Sequence, residues 1–154
     1  MKNNICLLFC IFLLGCVKDK ITISNTQFEN TTSHSVKVDG YKNGLIQTES
    51  SFVLNANESK QVFHLNNGGI GSGLTFGGYN QPLDSFVVIF DNTYRISHYK
   101  PNLIGTNNKR YLYSSKRNIY NDSSYVRNLL VDKKYKREWD FKYTFIEQDY
   151  LDAR

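Results

Sequence analysis

The chain has 154 residues, of which 40% are apolar and 21% charged; this indicates one folded domain and excludes wholesale disorder. Its 19 Lys and Arg against 14 Asp and Glu give a net charge of +5, and its two prolines exclude a collagen-like or polyproline chain. No apolar run reaches the roughly 20 residues that a membrane-spanning helix needs.

The first sixteen residues are typical of an export signal. Lys2 makes residues 1–4 positive, residues 5–14 (ICLLFCIFLL) are uniformly apolar, and the chain turns polar at Lys18. A short basic start, about ten apolar residues and a small residue describe a secretory signal peptide that is removed from the mature protein. The alternative is a signal anchor that stays uncleaved.

The end of this signal is more specific. Leu13-Leu14-Gly15-Cys16 resembles the bacterial lipobox, although Leu14 departs from the commoner Ala or Ser. The resemblance implies cleavage between Gly15 and Cys16, a diacylglycerol on the Cys16 sulfur and an acyl chain such as palmitate on its new amino group. The expected organisation is a signal peptide over residues 1–15, a lipidated tether over 16–20 and one domain over 21–154.

The cysteine positions agree with this interpretation. Cys6 and Cys10 lie in the segment that would be removed, and Cys16 would carry lipid. The mature domain would then hold neither a free thiol nor a disulfide, so core packing has to stabilise it. The membrane is the expected partner through lipid alone, because two acyl chains give stable anchoring.

From Lys18 onward the chain alternates short β-rich runs with turns rich in Asn, Ser and Gly. The predicted strands, in chain order, are residues 21–28, 36–41, 45–54, 60–65, 86–90, 94–99 and 139–145, with weaker candidates at 110–114 and 128–132. Asn43-Gly44 is a strong hairpin signal, and the unbroken apolar run 86–90 predicts a central strand buried on both faces. Residues 147–153 are expected to form one or two helical turns. The spacing predicts an all-β fold, an antiparallel β-sandwich of immunoglobulin-like or related type.

Patterns spread along the chain resemble a group of small envelope lipoproteins of Bacteroidota. They are the lipobox, ITISNT at residues 21–26, DSFVVIFD at 84–91, RNI at 117–119 and YTFIEQDYLDA at 143–153. The resemblance implies a lipid-anchored protein of the outer membrane with a β-rich body. It implies no activity, so Cys16 is the only residue whose role it supplies. Lys18-Asp19-Lys20 is similar to the signal that accompanies export to the cell surface in this phylum.

No catalytic, cofactor-binding or metal-binding motif is visible. Residues 68–78 hold six of the ten glycines but no Lys, which favours a flexible loop over a phosphate-binding loop and leaves ligand contact as the alternative. His34, His64 and His98 are too widely spaced to predict a zinc site. We expect a non-catalytic binding or structural role without a cofactor. The alternative is an envelope hydrolase or a glycan-uptake accessory factor on the same anchor.

Positive charge concentrates late in the chain. Residues 95–142 carry twelve Lys and Arg against four Asp and Glu, and the densest cluster is Lys133, Lys134, Lys136 and Arg137. We favour a solvated hairpin edge, where lysines discourage strand aggregation. The other interpretation is contact with an anionic surface such as lipid headgroups or acidic glycans. Export argues against a nucleic acid, so the expected partners beyond the membrane are an envelope protein or a glycan.

Overall fold

The computed structural model describes residues 20–68, 83–103, 105 and 107–154, with side chains described outside residues 64–68. Nine strands and one helix make up this body. The elements are β1 (Ile21–Asn30), β2 (Val36–Lys42), β3 (Leu45–Leu54), β4 (Ser59–Gly68), β5 (Ser85–Phe90), β6 (Tyr94–Tyr99), β7 (Arg110–Tyr111), β8 (Val126–Lys133), β9 (Lys136–Phe145) and α1 (Glu147–Ala153). The prediction of an all-β sandwich with a short C-terminal helix is confirmed.

The strands form two sheets that pack face to face. One sheet has the order β4-β1-β9-β8 and the other β3-β2-β5-β6-β7. Both sheets are mixed, because β1 pairs with β9 in parallel and β6 pairs with β7 in parallel, while the other neighbours are antiparallel. The prediction that the sandwich is antiparallel is therefore wrong for these two strand pairs, because local turn signals do not encode the pairing of strands that are distant in the sequence.

The β2–β3 hairpin forms at the predicted turn. Asn43 and Gly44 have φ angles of 51° and 77°, which is the left-handed pair that a two-residue hairpin turn of the primed type requires. Glycine reaches this region without a steric cost, and Asn tolerates it better than most residues. The turn thereby sets the pairing of Lys42 with Leu45.

The apolar run 86–90 forms the middle of the five-stranded sheet, between β2 and β6. Phe86, Val88 and Phe90 point into the sandwich and are fully buried, and Ile89 on the other face is also buried. Val87 is only half-buried, so the predicted two-sided burial holds for most of the strand but not for this residue.

Aromatic rings fill the space between the sheets. Phe28 of β1 lies within 6.4 Å, centroid to centroid, of rings from both sheets, including Phe52 at 5.0 Å and Tyr143 at 5.7 Å. The largest buried side chains also include Phe86, Phe90, Phe141 and Phe145. Since all three cysteines precede Lys20, the described body is held together by this packing, as the cysteine positions predicted.

The weaker strand predictions differ from the structure at their ends. Residues 110–114 form a strand only at Arg110–Tyr111, and residues 112–125 continue as turns with a 3-10 turn at Asp122–Ser124. The strand predicted at 128–132 is longer in the structure, where β8 spans Val126–Lys133. Helix α1 forms where predicted, and the carboxylate of Asp149 accepts a hydrogen bond from the N–H of Ile146 at its start, 2.9 Å away.

Candidate functional site

The lipidation site predicted from the sequence lies outside the described residues. This applies to Gly15 and Cys16, to the tether as far as Asp19, and to residues 69–78 of the glycine-rich segment. The structure describes the chain from Lys20, immediately before β1 begins at Ile21.

The four clustered basic residues surround one tight connection. Lys133 ends β8, Lys134 and Tyr135 form the turn, and Lys136 begins β9. Lys133, Lys134 and Lys136 are exposed, and Arg137 is partly exposed. We call Lys20 together with residues 133–137 the basic hairpin end.

Part of this charge is neutralised within the hairpin. Lys136 contacts Glu138 at 2.7 Å, and Arg137 contacts Asp132 at 3.1 Å. Lys20 also bonds Asp132, and the hydrogen bonds from Lys20 and then Arg137 hold the pKa of Asp132 below its usual value. Among the described residues, no carboxylate forms an ion pair with Lys133 or Lys134, and Lys20 shares Asp132 with Arg137, so the basic hairpin end keeps a net positive charge.

The start of the domain lies against this hairpin. The N–H of Ile21 donates to the carbonyl of Tyr135 at 3.0 Å, and Ile21 is opposite Lys136 in the parallel pairing of β1 with β9. Lys20, the first described residue, therefore lies beside the β8–β9 turn. Sequence reasoning did not find this placement, because it depends on pairing between distant parts of the chain.

Apolar side chains lie exposed on the same edge of the molecule. β8 is an outer strand of its sheet, and Leu129, Leu130 and Tyr135 are 46%, 56% and 44% exposed. A register shift between Leu129 and Val131 marks a bulge, which is one way in which proteins interrupt an open sheet edge. The edge thus presents basic and apolar groups together.

A cleft of about 300 Å³ opens near the β2–β3 turn. Its lining consists of Tyr41, Gly44, Asp84, Ser85, Tyr99, Leu103 and Gly105. Asp84 accepts hydrogen bonds from Lys100 at 2.6 Å and from the N–H of Asn43 at 2.7 Å, which lower its pKa. Among the described lining residues Asp84 is the single carboxylate, so they do not supply the facing pair that glycosidases use.

The histidines have separate roles in the fold. His34 stacks on Tyr150 of α1 with ring centroids 3.6 Å apart and contacts Asp91 at 2.6 Å, and His98 is buried in β6. The side chain of His64 lies outside the described atoms. Within the described residues no group of three or more His, Cys, Asp or Glu side chains is arranged to hold a metal ion.

A buried ion pair attaches α1 to the rest of the domain. Asp149 is 1% exposed, and its carboxylate accepts hydrogen bonds from Arg117 and from the hydroxyl of Tyr111, the latter at 2.9 Å. Arg117 also donates to the carbonyl of Thr144 at 2.8 Å. Asp149 is thus buried at the centre of this network, while the side chain of Arg117 keeps 25% of its surface exposed. Nothing in the sequence indicated that Arg117 of the RNI segment and Asp149 of the YTFIEQDYLDA segment would form an ion pair.

Comparison with known proteins gives no match to a family model, a curated protein or a solved structure. Among the helices of the described residues, none is long and apolar enough to cross a bilayer.

Proposed function

We propose that this protein is a bacterial cell-envelope lipoprotein, held in a membrane by lipid on Cys16, whose β-sandwich has a non-catalytic binding or structural role. The observation that carries the proposal is the junction Leu13-Leu14-Gly15-Cys16 directly after the apolar run 5–14. An apolar run of this length followed by a small residue and Cys is suited to signal removal and acylation, whereas it is too short to span a bilayer as a helix.

The position of the domain supports an anchor at this residue. β1 begins at Ile21, so four residues, 17–20, link Cys16 to the first strand. Two or more acyl chains, at about 0.8 kcal/mol per buried CH₂, give stable membrane attachment. The sandwich can then remain fully outside the bilayer.

The open cleft supports the binding part of the proposal. It is concave, it combines the rings of Tyr41 and Tyr99 with a carboxylate that is held ionised, and its volume is at the lower limit of ordinary ligand pockets. Aromatic faces beside hydrogen-bonding groups suit a glycan or a peptide of an envelope partner better than a purely apolar ligand.

Lipid labelling in a bacterial host tests the anchor. Cells grown with a fatty acid that carries a clickable tag are expected to label the wild-type protein, and the mature protein is expected to begin at Cys16 by mass spectrometry. Cys16→Ala should abolish labelling and leave an uncleaved or unlipidated form. Cys10→Ala is the matched control, because this residue lies in the segment that is removed, and it should label normally. Normal labelling of Cys16→Ala would refute the proposal.

A further inference from the structure

We propose that the basic hairpin end is a second membrane contact, which binds the anionic phospholipid headgroups of the bilayer that holds the lipid on Cys16. The inference rests on the proposed anchor and adds an orientation to it: the β8–β9 turn faces the bilayer, and the β3–β4 turn faces away from it.

Covalent geometry supplies the first argument. Four residue steps lead from Cys16 to Lys20, and a chain spans at most about 3.5 Å per step, so Lys20 stays within about 14 Å of the lipidated residue. The N–H of Ile21 is bonded to Tyr135 at the hairpin turn, 3.0 Å away. The hairpin turn is therefore confined to the neighbourhood of the headgroups whatever path the tether takes.

The opposite end of the sandwich has no such constraint. β1 runs ten residues from Ile21 to Asn30, a length of about 30 Å, and the N–H of Asn30 bonds Glu58 at the β3–β4 turn, 2.8 Å away. Ala56 in this turn is exposed. The tether therefore holds only the Ile21 end of β1 close to the anchor, and the Asn30 end is free to point away from it.

Charge supplies the second argument. Lys133 and Lys134 are exposed, and neither forms an ion pair with a carboxylate of the described residues, whereas Lys136 and Arg137 are paired with Glu138 and Asp132. Each basic residue close to an anionic bilayer favours binding by roughly fivefold, so these two lysines together favour the contact by about 30-fold. The effect falls off within a Debye length of about 8–10 Å, which the short tether can satisfy.

The exposed side chains around these lysines fit the same surface. Tyr135 is at the tip of the hairpin with 44% of its area exposed, and Lys134 lies over its ring at 5.0 Å. Tyrosine is favoured at headgroup depth because its ring is apolar and its hydroxyl is polar. A lysine pair beside an exposed tyrosine is thus suited to the bilayer interface.

Site-specific quenching in vesicles tests the orientation. The lipidated mature protein contains no free thiol if Cys16 is acylated, so Ile21→Cys, at a 41% exposed position beside the hairpin turn, and Ala56→Cys each introduce one labelling site. Each labelled protein is incorporated into vesicles of phosphatidylcholine, with or without about 30% phosphatidylglycerol, that carry a headgroup-linked quencher. We expect the label at residue 21 to be quenched several-fold more than the label at residue 56 in anionic vesicles, and this difference to shrink in high salt.

Two charge variants identify the groups responsible. Lys133→Gln with Lys134→Gln, in the protein labelled at residue 21, should reduce the quenching advantage in anionic vesicles towards that in neutral ones. Lys60→Gln with Arg95→Gln removes the same charge from exposed positions near the opposite end and should change little. Equal quenching at residues 21 and 56, or a preference that changes neither with salt nor with loss of the lysine pair, would refute the contact and leave the lysines as protection of a sheet edge. Absence of lipid on Cys16 by mass spectrometry would refute the anchor and the orientation together, whereas a lipidated protein with equal quenching would refute the orientation alone.

Discussion

His98 is expected to make the stability of the sandwich depend on pH between about 6.5 and 3. The imidazole is 1% exposed, and burial, with a smaller effect from the positive charge of Arg117, lowers its pKa to about 3. Its Nδ1 accepts a hydrogen bond from the N–H of Ile119 at 3.1 Å, which places the proton of the neutral ring on Nε2. Protonating Nδ1 would remove this hydrogen bond and bury a charge.

The direction of the effect follows from proton uptake. Unfolded His98 binds a proton below about pH 6.5, while folded His98 stays neutral until about pH 3. The unfolded state therefore binds more protons in this interval, and the free energy of unfolding falls as the pH falls. The slope approaches about 1.4 kcal/mol per pH unit, so lowering the pH from about 7.5 to about 5 should remove about 2 kcal/mol from a typical domain stability of about 5–15 kcal/mol.

Urea unfolding followed by circular dichroism measures this loss on the protein that begins at Lys18. His98→Gln replaces the imidazole by a side chain that does not titrate; it should be less stable than wild type near pH 7.5 but should lose about 2 kcal/mol less on going to about pH 5. His34 and His64 are present in both proteins, so the difference in pH dependence belongs to His98. The same pH dependence in both proteins would refute the reasoning, because it would mean that His98 is not buried in its neutral form.

Two further substitutions test the buried network and the central strand by the same unfolding assay. Asp149→Ala leaves the guanidinium of Arg117 without its buried partner and should lower the free energy of unfolding by about 3–5 kcal/mol. The control is Asp122→Ala, whose half-exposed carboxylate contacts an arginine at 3.4 Å and whose loss should cost less than about 1 kcal/mol. Equal losses of stability in the two variants would contradict the structural role of Asp149. Val88→Asp buries a charge between apolar neighbours on β2 and β6 and should lower the free energy of unfolding by several kcal/mol or prevent folding. The control Val53→Asp, at a half-exposed position, should fold. A fully stable Val88→Asp protein would show that the strand is not central.

The sequence alone was sufficient for the elements whose signals are local. Asn43-Gly44 predicted a hairpin because only a few residue types adopt two successive left-handed conformations cheaply, and both positions have positive φ. The apolar run 86–90 predicted a central strand because it leaves no polar face for solvent. Each of these signals lies within a few neighbouring residues, so no knowledge of the fold was required.

Element ends were less predictable. Residues 110–114 have strand-forming side chains, yet the strand ends at Tyr111. At this end the side-chain amide of Asn118 donates hydrogen bonds to the carbonyls of Tyr99 and Tyr111, at 3.2 and 2.9 Å. Conversely, β9 begins at Lys136, three residues before the predicted start, because it pairs with β1 and β8 on its two sides. Backbone partners supplied by other strands thus override local preference.

The sequence by itself was sufficient to predict the export signal, the β-rich body and the positive charge of residues 133–137. Only the tertiary structure decided where that charge lies: the parallel pairing of Ile21 with Lys136 places the hairpin beside the start of β1. It also decided that Arg117 meets Asp149 and that His98, in an alternating strand, faces the core. Arg117 and Asp149 are 32 positions apart in the sequence, and Ile21 and Lys136 are still further apart. Contacts over such separations depend on how whole sheets pack, and the local periodicity of side chains carries no information about them.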